Sequence, residues 1–157
     1  MSRVVVPLLE RKLWATGDIL LRAELDLLLK DATGNWQRET FRVDSATEMT
    51  TMPAYRAGQL ALPMPLHAAP GVIHAQSRLE VRSGYLRAKV VGMDQSEYVF
   101  PCFFLGAPAS VPDPKAPTAL MPKNLLGLSG VVNQLRITFD GDPTPGALYG
   151  NMIVEKK

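Results

Sequence analysis

A chain of 157 residues, 46% hydrophobic and 20% charged, is long enough to bury a sizeable core and short enough for one domain spanning 1–157. The net charge is +2, and the densest basic groups, Arg78/Arg82/Arg87/Lys89 and Lys156–Lys157, lack the interleaved aromatics that stack on bases. Nucleic acid is therefore not an expected partner. No apolar run approaches the ~20 residues that cross a bilayer, and Met1–Pro7 has no small-residue cleavage site, so a cytoplasmic chain with no membrane partner is expected.

In chain order, Ile19–Leu29 alternates, with Leu21, Ala23, Leu25 and Leu27 facing one way and Arg22, Glu24 and Asp26 the other. Asp31–Asn35 is a turn cluster and Trp36–Val43 resumes a strand, so Ile19–Val43 reads as a hairpin that ends at Asp44. Thr47–Met52 favours β structure until Pro53 stops it, and Ala54–Gly58 is at most a single helical turn. Leu62–Gly71 is rich in proline, which bars it from a central strand. Arg78–Arg82, a Ser83–Gly84 turn, Tyr85–Val91 and Glu97–Leu105 read as a meander. Residues 106–122 contain five prolines and little periodicity, which predicts a long surface loop. Leu128, Val131, Val132 and Leu135 have helical spacing and predict a helix over 128–135, with Ser129 as its cap. Asn151–Glu155 supplies a last strand.

Many strands and one short helix near the C-terminus predict an all-β domain, a small closed or partly closed barrel. Cys102 stands alone and reads as a buried thiol that can form no intrachain disulfide. The two histidines, His67 and His74, have no ligand-spaced partners, so no metal or other cofactor is expected.

The run Phe41-Arg42-Val43-Asp44-Ser45-Ala46-Thr47 delivers an acid from a strand into a small-residue turn. Much later comes Asn124-Leu125-Leu126-Gly127-Leu128, followed by Arg136-Ile137-Thr138-Phe139-Asp140-Gly141. This ordering resembles the retropepsin-like aspartic proteases. There an Asp-Thr/Ser-Gly turn carries the catalytic acid, and a later apolar-apolar-Gly strand leads to a closing strand. The resemblance covers roughly Pro7–Lys157 and implies Asp44 as the catalytic residue, with Ser45, Ala46 and Thr47 as its supporting turn. Ala46 stands where the family has Gly, and Thr47 where it usually has Ala. The resemblance also implies a hairpin flap between the two elements, for which 66–78 is the candidate and Ala69, Pro70, Gly71 and Val72 the tip.

This chemistry requires two carboxylates that share a proton, because two like charges a few ångströms apart do not both ionise. The chain carries one such turn and no internal repeat, so the resemblance implies a homodimer acting on a polypeptide substrate. Asp140, after the closing strand, is a turn acid and not the second catalyst. Ala46 motivates an alternative: a catalytically impaired domain that serves dimerisation or peptide binding. A third reading leaves Asp44 as a plain turn residue of a small β-barrel binding domain.

Overall fold

The computed structural model describes residues 2–69, 80–108 and 123–157. Among them the chain is mostly β. The elements are β1 (Arg3–Pro7), β2 (Leu9–Lys12), β3 (Ile19–Arg22), β4 (Glu24–Lys30), β5 (Trp36–Val43) and β6 (Thr50–Pro53). Then come α1 (Ala54–Gln59), β7 (Val81–Val90), β8 (Tyr98–Leu105), β9 (Leu125–Leu126), β10 (Leu135–Asp140) and β11 (Asn151–Lys156).

Six strands close a ring in the order β4-β5-β9-β6-β8-β7, with β7 returning to β4. Period-two alternation explains why. In β4, Leu25, Leu27 and Leu29 are buried while their neighbours stay half-exposed, and in β8 Tyr98, Phe100, Cys102 and Phe104 do the same. Phe41, Met52, Leu86, Ala88 and Leu126 complete this interior. Cys102 is fully buried, and burial pushes its thiol well above the usual range. A second sheet, β1-β11-β10, joins the two ends of the chain and packs Met152 and Val154 against the same core. The β2–β3 hairpin stands apart from the ring, with Trp14 near its tip 92% exposed.

One connection positions everything that follows. β5 and β6 are consecutive in sequence but not neighbours in space. The short β9 lies between them, parallel to β5 through Arg42↔Leu125 and Val43↔Leu126, and antiparallel to β6 through Thr51↔Leu125. The loop that joins β5 to β6 must therefore pass over the end of β9.

Four expectations need correction. The helix near the C-terminus does not form: 128–134 is a run of turns, and the helix is α1, at Ala54–Gln59. Two isolated helical bonds survive there, from the N–H of Val132 to Leu128 O and from Leu135 to Val131 O, but Gly130 has φ of 73° and interrupts them. A Cβ on Gly130 would lie 2.4 Å from Pro101 Cδ, so this residue brings the turns close against β8. Ser83–Gly84 is not a turn but the middle of β7, where Gly84 pairs with Cys102 and lets Phe104 and Pro65 approach to 3.0 and 3.1 Å of its missing Cβ. The strand does not run through Leu21 with a single inward face. Leu21 is 52% exposed, because β3 pairs with β2 outside the ring and burial begins at Ala23. The hairpin accordingly runs from Glu24, not Ile19.

No helix among the described residues is long and apolar enough to cross a membrane.

Candidate active site

Asp44 follows the last residue of β5 and is half-buried, whereas Ser45 and Ala46 at the crest of the turn are exposed. Its backbone N–H bonds Leu126 O at 3.1 Å, continuing the β5–β9 ladder by one rung past Val43. The carboxylate folds back over its own turn. Oδ1 accepts the Ala46 N–H at 2.9 Å, and Oδ2 accepts the Thr47 hydroxyl at 3.0 Å. Each oxygen thus accepts one bond from the described residues, of the roughly two that a carboxylate oxygen can accept.

The loop between Asp44 and Thr50 is fixed from beneath by Gly127. A Cβ at this position would lie 2.5 Å from the Met49 carbonyl carbon and 2.6 and 2.9 Å from the oxygens of Met49 and Glu48. These are backbone atoms, which cannot rotate aside, so only glycine fits. Around it, the Gly127 N–H bonds the buried Thr50 Oγ1 at 3.1 Å. The N–H groups of Leu128 and Ser129 bond Thr47 O and Glu48 O at 3.0 and 2.7 Å. Leu126, 1% exposed, anchors the support in the ring interior. The apolar-apolar-Gly triplet therefore acts in two ways: its leucine packs, and its glycine admits the loop.

Ala46 is free of the backbone strain that its place in the turn could suggest. Ala61, at φ 54°, is the one non-glycine residue with positive φ among the described residues, and Ala46 is not in that region. Ser45 Oγ makes no hydrogen bond among the described residues. Thr47 contributes more than small size, since its hydroxyl orients the carboxylate. Nothing in the sequence singled out that bond, nor the acceptor role of Thr50.

The turn borders a cavity of about 260 Å³ lined by Asp44 and Val43 with Arg42, Arg11, Leu20, Leu21, Arg22 and Ala23. A larger cavity, about 540 Å³, lies between the Asp31 turn, Leu62–Pro65 and Gly84–Arg87, and touches none of the residues of the Asp44 turn. We assign the candidate site to the smaller one, because it contains the acid with spare acceptor positions. Of the expected flap tip, Ala69 is described, with its N–H on Val81 O at 2.6 Å. Pro70, Gly71 and Val72 lie outside the described residues, as do His74 and most of the 106–122 loop. Asp140 is exposed at the end of β10, and its Oδ1 accepts the Asp142 N–H at 3.0 Å in a local turn.

The chain has no match among protein-family models and no significant match among curated proteins or solved structures.

Proposed function

We propose that this chain is a homodimeric aspartic endopeptidase of retropepsin-like type, in which one Asp44 from each copy serves a shared site. In that reading the ionised carboxylate takes a proton from water as the water oxygen bonds to the peptide carbonyl carbon. The protonated partner gives its proton to the carbonyl oxygen. Collapse of the tetrahedral adduct then breaks the C–N bond and delivers a proton to the leaving amine.

The observation that carries the proposal is the seating of the Asp44 turn on Gly127, with β9 inserted between β5 and β6. An ordinary turn acid needs no such support from a distant segment. The arrangement holds a carboxylate at the end of β5 with acceptor positions that the described residues do not fill, which is what proton sharing across a two-fold axis requires. The exposed Ser45 is free to donate a hydrogen bond across that axis.

The alternative, a dimerisation or peptide-binding module without turnover, draws on Ala46, an exposed residue whose backbone N–H bonds the Asp44 carboxylate. One experiment separates the two. A mixed peptide library is incubated with the protein across pH 3–7 and over a dilution series, with Asp44→Asn as the blank. The expected result is cleavage with an acidic to mildly acidic optimum, specific activity that falls on dilution, and a dimer by sedimentation. Cleavage by a strict monomer, or by Asp44→Asn at an undiminished rate, overturns the proposal.

A further inference from the structure

Among the described residues, the cavity that contains Asp44 is lined by three guanidinium-bearing residues, Arg11, Arg22 and Arg42, with Asp44 as its one acid. They come from three strands. β2 and β3 run antiparallel with Arg11 opposite Leu20 and Leu9 opposite Arg22, and β5 supplies Arg42 two residues before the acid. None of the three forms a direct ion pair with Asp44 among the described residues, so the carboxylate and the cations line one cavity without contact between their charged atoms.

Their own pairing is sparse. Arg11 and Arg42 have no ion pair among the described residues. Arg22 Nε lies 2.8 Å from Glu24 Oε1 but makes no hydrogen bond, which leaves a buried N–H without an acceptor among the described residues. A buried donor of this kind is costly unless a partner completes it. Arg42 also lines a second cavity of about 470 Å³ with Arg56, Lys123 and Glu24, so the cationic lining continues along the outer side of β5. There Arg56 is occupied by Glu39 at 2.5 Å, whereas Lys123 has no ion pair among the described residues.

We infer that the substrate is an acidic polypeptide, with an Asp or Glu side chain seated among Arg11, Arg22 and Arg42 beside the bond that Asp44 hydrolyses. The inference rests on the endopeptidase reading and adds its specificity. A guanidinium presents paired N–H donors that match a carboxylate and are poorly satisfied by an amide. The apolar Leu20, Leu21 and Val43 side of the same cavity accommodates the methylene stem of a glutamate. A basic residue in that place would meet Arg11 and Arg42, which have no ion pair among the described residues, beside Arg22, which Glu24 partly offsets.

The test uses three peptides that differ at one residue flanking the scissile bond, Glu, Gln or Lys, assayed for kcat/KM with the unmodified protein at pH 6. The expected order is Glu over Gln by about tenfold, with Lys slowest. Raising the salt to 1 M should compress the Glu/Gln ratio, since the screening length falls from ~10 Å at 0.1 M to ~3 Å. The Arg11→Gln/Arg42→Gln variant should bring that ratio close to one, and Arg42→Glu should favour the Lys peptide. The salt series requires no variant to fold. Equal cleavage of all three peptides overturns the acidic specificity and leaves the endopeptidase standing. Cleavage of none, by a well-folded dimer, overturns the endopeptidase and this inference with it.

Discussion

The two ends of β5 each carry an aspartate in a turn of small polar residues, and the two carboxylates are held in different ways. At one end Asp31 is buried and accepts four hydrogen bonds. Its Oδ1 accepts the N–H of Thr33 at 2.9 Å, the Thr33 hydroxyl at 2.7 Å and the Asn35 N–H at 2.9 Å, and its Oδ2 accepts the Gln37 amide at 3.0 Å. These bonds, Gln37 first, lower its pKa to about 2. At the other end Asp44 accepts two bonds, one on each oxygen, and is supported through its backbone and loop instead. A carboxylate has about four acceptor positions. Asp31 accepts four bonds from its own turn and from Gln37 of β5, three of them on Oδ1, whereas Asp44 accepts two among the described residues. The difference teaches that an acid is structural or available according to what its oxygens have left, not according to the turn that carries it.

The paired substitutions Asp44→Asn and Asp31→Asn put the greatest strain on this contrast. Asp44→Asn should lower turnover by about 10³-fold or more, because the proton-sharing group is gone. The amide oxygen can still accept the Ala46 N–H, so the melting temperature should hardly move. Asp31→Asn should do the reverse, lowering the melting temperature at pH 7 while peptidase activity per folded dimer persists. Its effect has a defined pH dependence. The folded-state pKa of Asp31 lies below the unfolded value of ~3.9, so its contribution is complete above that value and is lost as pH falls through about 2. The gap in melting temperature between Asp31→Asn and the unmodified chain should therefore close as pH falls toward 2. A gap independent of pH would place the stabilisation elsewhere than in the charge.

Gly127→Ala comes next in size and tests the support rather than the acid. The added methyl would overlap the backbone of Met49 and Glu48, so the loop must lift or β9 must shift. Such overpacking costs about 2 kcal/mol or more, read as a lower urea midpoint. Displacing the carboxylate by even about 1 Å should cost a further ~10²-fold in kcat, provided the folded fraction is corrected for. Stability loss with full turnover would mean that Asp44 does not depend on β9 for its placement.

Much of this contrast was legible in the residues themselves. The alternation in Glu24–Lys30 and Trp36–Val43, the turn between them, and the acid at the far end all follow from local periodicity and turn chemistry. What local pattern does not carry is close packing between distant segments. Gly84 looked like a turn residue because glycine usually marks one, whereas here it makes room for Phe104 and Pro65 inside a strand. Leu128–Leu135 has helical spacing, yet Gly130 must press against Pro101, and its positive φ keeps the two single turns from joining into a helix. The cationic cavity was illegible for the same reason: Arg11, Arg22 and Arg42 are far apart in sequence and converge because the β2–β3 hairpin lies beside the end of β5.

The smallest expected effect belongs to Ala46→Gly, and it sharpens the comparison most finely. Two physical routes could make alanine harmful in this turn: a left-handed backbone that only glycine tolerates, or a methyl that crowds the substrate. The first does not operate, because Ala46 has no positive φ. Glycine would then loosen the unfolded chain without relieving strain in the folded one, which lowers stability by less than about 1 kcal/mol. The second route remains open to measurement, since Ala46 is exposed and its N–H bonds the carboxylate. With an unstrained turn and Asp44 already holding the Ala46 N–H, the change in kcat/KM should stay under about tenfold, or ~1.4 kcal/mol of barrier. A larger gain would show that the methyl obstructs the peptide, and the chain as it stands would be an impaired enzyme with its support intact. A loss would be as informative. It would mean that the stiffness of alanine, rather than the openness of glycine, keeps the spare acceptor positions of Asp44 turned toward the ligand.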